Sequence, residues 1–319
     1  VSHAAHLGSM EVALITQLVM LLLLVSAAVR ERRQQADNAL AIAIFAGAAL
    51  CVLKFWVTYV LYALEGKVFP WDSPFIEFAN VRFFSQYQSY TLLLMILPGR
   101  MFGSSKTARA LFFLVAANFW ALHWMVGTRA AWLGLMVGSA VVLIFMRQGR
   151  MVWLREQMLV ALAGAAIFLA HSHIVASVLH AAPVPGIKSI VDRGERSINE
   201  RLELAHDALG FIRQHPLAGV GPGQFGLQSY STFAAHPHNV ALQLLSEYGL
   251  LAGIAGISLV LMLAVYAVRT LRRAPGRSSI LDGSLAAALI MGLTDSLFSG
   301  NLIMPHSQML FGVLGGWIL

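Results

Sequence analysis

Leu250–Val268 reads LLAGIAGISLVLMLAVYAV, nineteen residues without a charge, followed by Arg269, Arg272 and Arg273. At ~1.5 Å per residue, a helix of this length crosses the ~30 Å hydrocarbon core of a bilayer. In lipid only helices and closed barrels satisfy every backbone polar group, and the alternating pattern of barrel strands is absent here. Comparable apolar spans lie near 12–29, 39–63, 84–98, 108–127, 130–146, 152–170, 239–268, 279–298 and 302–318. The chain is 58% hydrophobic and 12% charged, with mean hydropathy +0.71; a soluble domain carries about twice that charge. These features predict an all-α polytopic membrane protein.

The charges between spans alternate. Arg30, Arg32 and Arg33 follow the first span; Arg100, Lys106 and Arg109 the third; Arg147, Arg150 and Arg155 the fifth; Arg269, Arg272, Arg273 and Arg277 the seventh. The positive-inside rule places all four clusters in the cytoplasm. They account for most of the net charge of +7, so a nucleic-acid partner is not implied. Residues 1–10 (VSHAAHLGSM) resemble a tag remnant and are set aside. The remainder divides into N-terminal transmembrane helices (11–170), a long outward loop (171–238) and C-terminal transmembrane helices (239–319). Cys51 stands alone, in an apolar run, and reads as packing.

Polar residues of note gather on the outward side. Leu202, Ala205, Leu209 and Ile212 recur at helical spacing, which predicts an amphipathic surface helix over 198–213, stopped by Pro216. Arg193, Arg196 and Arg201 would stand at or before its first turn, where free N–H groups already favour anions. A planar guanidinium grips two phosphate oxygens at once; the plainer reading is a solvated face paired with Glu195, Glu200 and Glu203. Arg129, in GTRAAW, and Arg82, in NVRFFSQYQ, sit at outward span ends. Asp295 is the nearest acidic partner for them. An arginine near bilayer depth is a functional candidate, against the alternative of snorkelling to the interface. Lys54 lies mid-span, paired internally or marking a break.

Gly221, Gly223 and Gly226 match GxGxxG, but no strand precedes them, so a dinucleotide site is rejected in favour of a turn that permits close backbone approach. His236 and His238, with His215, could be metal ligands, yet no carboxylate cluster accompanies them. His238-Asn239, with Gly249 further on, falls where the outward loop meets a span. A histidine there can act as a base at neutral pH.

Asn80–Gln88, Gly127–Leu133, Arg201–Phe225 with its HPLAGVGPGQF ending, His238-Asn239 through Gly249, and SGNLIMPHSQ at 299–308 together resemble the O-antigen ligase family, which includes O-antigen polymerases and protein O-oligosaccharyltransferases. One departure is visible: Ala252 stands three residues after Gly249, where the ligase pattern has Gly, Thr or Tyr. The resemblance implies a GT-C-type helical bundle in the bacterial inner membrane with one partly helical periplasmic loop. It implies metal-independent transfer of glycan from undecaprenyl diphosphate to an acceptor on the periplasmic face, without a cofactor; inversion at the anomeric carbon and a lipid A–core acceptor are the reading favoured, with glycan or protein as the acceptor of a polymerase or protein O-oligosaccharyltransferase. In that reading His238 is the catalytic base, Arg129 and Arg201 hold the diphosphate with Arg196 and Arg82 as weaker candidates, and Asn239 supports. A lipid-linked glycan transporter is the alternative from another class. The distinctive polar residues gather at one face and no internal repeat is visible, which favours the enzyme.

Overall fold

The first two apolar runs flank the polar stretch RERRQQADN at 30–38. The computed structural model carries both in one long helix, α1 (Ser2–Leu64), broken at Arg32, whose φ of −139° and ψ of 54° leave the helical region. Lys54 lies in the unbroken second part. The structure describes residues 2–71, 78, 81–175, 187–229, 236–273, 278–300, 302 and 304–319, without the side chains of 2–11, 174–175, 187–198, 273 and 278–279. Among the described residues there is no strand. Four helices, α1 among them, are long and apolar enough to cross a membrane.

The third expected span, 84–98, is not one helix. It is α2 (Val81–Thr91), a 3₁₀ turn at Leu92–Leu94, and α3 (Leu97–Phe102). Ser85, Gln86, Gln88, Ser89 and Thr91 are buried on α2, and polar groups inside a membrane protein need internal partners. Gln88 Nε2 donates to the Phe119 carbonyl at 3.1 Å, and Gln157 Nε2 reaches into the 3₁₀ turn to the Leu93 carbonyl at 2.7 Å. Irregular backbone is tolerated at depth when protein surrounds it, and Leu92–Leu97 are all buried.

Around this core stand α4 (Lys106–Val126), α5 (Arg129–Phe145) and α6 (Arg150–Ala170). A π-helical turn continues α6 over His171–Val175. Then come α7 (Ile187–Gln214), the short α8 (Phe225–Gln228), α9 (Val240–Arg273), α10 (Ser278–Ser296) and α11 (Pro305–Ile318). Lipid supplies no hydrophobic drive between spans, so small residues set the close approaches. Gly134 and Gly138, one turn apart on α5, lie against the carbonyls of Met291 and Ala287 on α10; a Cβ at either would come to 2.5 Å of that oxygen. On α11, Gly316 meets the Leu22 carbonyl of α1 in the same way.

The basic clusters mark one end of the bundle. Arg33 pairs with Asp282 at the start of α10 at 2.6 Å, and Arg30 donates to the carbonyl of Leu319. Arg100 pairs with Glu156 on α6 at 2.6 Å, and Arg272 lies over the Phe145 ring. The opposite end holds the start of α5, the end of α10 and the outward segment.

Two expectations for that segment are corrected. Helix α7 begins eleven residues before 198, so Arg201 sits in its middle rather than in its first turn, and the helix-start argument does not apply to it. Its inward stripe is Leu204, Ala208 and Phe211, packed on Phe225, Val220 and Leu242. Leu202 and Leu209 are exposed instead. The helix carries two apolar stripes, and periodicity alone does not say which one meets protein.

Candidate active site

The glycine-rich turn is built by backbone, not by side chains. Helix α9 bends at Gly249, with φ 75° and ψ 177°. The bend exposes peptide groups to the HPLAGVGPGQF stretch. The N–H groups of Val220 and Gly221 donate to the carbonyls of Ser246 and Glu247 at 2.8 and 3.0 Å, and the Leu250 N–H donates to the Pro216 carbonyl at 2.7 Å. Gly249 and Gly219 touch the facing backbone where a Cβ would stand, both at positive φ, a conformation that glycine takes without cost. The buried Glu247 carboxylate accepts the Phe225 N–H at 3.2 Å. So the turn is a clamp between α7 and the first part of α9, and the GxGxxG match has no dinucleotide geometry.

That first part of α9 begins at His238-Asn239. Asn239 Oδ1 accepts the Leu242 N–H at 3.0 Å, a helix N-cap, while its Nδ2 donates to the Leu297 carbonyl at the end of α10. Just before the cap, His238 has φ 52°, the one non-glycine positive φ among the described residues. Its backbone N–H lies 3.3 Å from Nδ1 of buried His236, and the two imidazoles meet edge to face with centroids 4.3 Å apart.

Arg82 and Arg129 are brought together by one hydroxyl. Ser85 Oγ on α2 accepts the Thr128 N–H at 3.0 Å and bonds the Thr128 hydroxyl at 3.1 Å. Thr128 in turn caps α5 through the Ala131 N–H. Arg129 is the first residue of α5, and Arg82 lies one turn before Ser85, so this lock ties together the two segments that carry them. Arg201, itself exposed, stands on the same side of α7 as Leu204 and Ala208, which follow it at i+3 and i+7.

The electrostatics relate these groups to one another. Arg201 is lowered from its ordinary range by partial burial, then by Arg82 and Arg129, while Asp295 and Glu200 act the other way. His238 is pushed down to about 3 by burial first, then by His236, Arg82 and Arg201. His236 is lowered to about 4 by burial and Arg82. Both rings are neutral at pH 7. Asp295 is buried at the end of α10, with the hydroxyls of Ser299 and Ser89 at its carboxyl.

The structure thus sets Arg82 and Arg201 near His238, and Arg129 near Arg201. Asn239 sits beside them as the cap. Arg193 and Arg196 lie on α7, but their side chains fall outside the described residues. Among the described residues no group of three His, Cys, Asp or Glu could hold an ion, and His236 Nδ1 is turned to the His238 N–H. Sequence reading missed His236 as a partner of His238, and Ser85 as the tie between two arginines. Nothing in FFSQYQ announces a contact with a residue 43 positions on.

In comparison with known proteins, residues 110–257 match the family model described as O-antigen ligase. No curated protein matches the chain. Arg129, the inward stripe of α7, the glycine-rich clamp, His238 and the bend at Gly249 all fall within the matched stretch, whereas Arg82 and Asp295 reach the same place from outside it. That match, on a multi-pass helical bundle, supports the O-antigen ligase family of ligase- and polymerase-type glycosyl-transfer proteins for this chain.

Proposed function

We propose that the protein transfers O-antigen glycan from undecaprenyl diphosphate to a lipid A–core acceptor at the periplasmic face of the inner membrane, without a metal ion. The observation that carries this reading is the convergence of three arginines and one neutral histidine, from four separate segments, at the end of the bundle opposite the basic clusters. The positive-inside rule makes that end periplasmic. No nucleotide sugar is supplied there, so a pre-activated, membrane-borne donor suits the site.

His238 takes the proton of an acceptor hydroxyl as its oxygen forms a bond to the anomeric carbon. The bond from that carbon to the diphosphate oxygen breaks on the opposite side, and undecaprenyl diphosphate leaves with the electron pair, inverting the centre. Arg129 and Arg201, with Arg82, bind the diphosphate and stabilise the charge that develops on it. The apolar helices hold the polyprenyl tail. Burial, His236 and the arginines Arg82 and Arg201 depress the proton affinity of His238. A bound diphosphate offsets their field, so the histidine becomes a stronger base once donor is present.

The test is a reaction of purified protein with defined donor and acceptor, with and without EDTA. Transfer to lipid A–core that persists in EDTA supports the reading. Transfer only to lipid-linked glycan or to protein moves the assignment to a polymerase or a protein O-oligosaccharyltransferase. Movement of the lipid across vesicles without transfer makes it a transporter.

A further inference from the structure

His236 has no part in the scheme above, yet it is the residue His238 leans on. His238 occupies the left-handed region, which is sterically unfavourable for a residue with a Cβ. It stands between Pro237, which has a fixed φ and no N–H, and Asn239, which is committed to the cap of α9. The His238 N–H has one acceptor shown for it, the Nδ1 of His236 at 3.3 Å. That role leaves the proton of the neutral His236 ring on Nε2. The ring is itself held: it is buried, edge to face with His238, and lies over Gly300, where a Cβ would collide with its Cε1 and Nε2.

We infer that His236 is a positioning residue for glycosyl transfer, holding the His238 backbone in its left-handed conformation so that the His238 imidazole faces the arginine cluster, with Gly300 as the wall that admits the His236 ring. Without that acceptor, His238 relaxes to an ordinary φ and its Cα–Cβ direction swings away from the arginines. Burial and Arg82 keep His236 uncharged, as an accepting Nδ1 requires. The inference rests on the proposed role of His238 as the base.

The experiment compares kcat and donor KM of purified variants that elute as the parent does from size exclusion. His236→Ala lowers kcat roughly 100-fold, the cost of an ångström-scale misplacement, with donor KM within about twofold, because the arginines are untouched. His236→Asn, whose side-chain oxygen falls near the old Nδ1 position, recovers most of that loss. Combined with His238→Ala, His236→Ala costs nothing further, since the pair acts as a unit. Gly300→Ala also lowers kcat and ceases to matter once His236 is alanine; it carries the test should His236→Ala fail to insert. An unchanged kcat for His236→Ala beside an inactive His238→Ala overturns the positioning role alone, as does an additive loss in the double variant. An active His238→Ala overturns the base assignment instead.

Discussion

At the scale of single residues, chemistry rests on charge state. Burial, then His236, Arg82 and Arg201, lower the proton affinity of His238; in its proposed role as base, His238→Ala, correctly inserted, is expected to lose about 10²- to 10⁴-fold in kcat. Such a variant should fail to restore smooth lipopolysaccharide in a ligase-deficient strain. Arg201→Lys keeps the charge but loses the planar fork, and is expected to raise donor KM and lower kcat together. The histidines also link the fold to pH. Their folded-state values, about 3 for His238 and about 4 for His236, lie below the ordinary 6.5. Stability from this turn is therefore complete above pH 6.5 and is lost as pH falls toward 3, because only the unfolded chain takes up the protons there. Thermal unfolding in detergent between pH 7 and pH 4 should show this slope, and a His236→Gln/His238→Gln variant should show it weakened.

Helices and turns position these groups by backbone contacts, and substitutions there should act through stability. Gly249→Ala places a Cβ against the Leu217 backbone at φ 75°; both strain and clash oppose it, so a loss above about 1 kcal/mol is expected by thermal melt. Asn239→Ala removes the cap of α9, at a cost of about 1 kcal/mol, and also frees the Leu297 carbonyl of its donor. On the α5–α10 seam, Gly138→Val should cost more than Ala140→Val. Gly138 touches the Ala287 carbonyl, while Ala140 is exposed. The periodicity of α5 in the sequence shows an apolar helix; that this particular glycine meets a neighbouring backbone is a property of the packed pair.

For the whole molecule, the orientation is open to direct measurement. In a Cys51→Ser background, Leu217→Cys, whose native side chain is 82% exposed beside the clamp, should react with an impermeant thiol reagent in intact cells. Arg150→Cys, at the basic end, should react only after lysis; the reverse pattern would invert the proposed topology. What sequence alone determined is the all-helical membrane class, the gathering of basic clusters between alternate spans and the candidates His238, Arg129, Arg201 and Arg82. Each of these is written locally, in run length, charge and residue type, because a bilayer constrains every segment separately. The broken α2–α3 segment, the inward stripe of α7, the Ser85–Thr128 lock and the seating of His238 on His236 were decided only by tertiary structure. They depend on partners far apart in the chain: α7 offers two apolar stripes, and only the presence of Phe225 and Leu242 selects Leu204, Ala208 and Phe211 as the packed one.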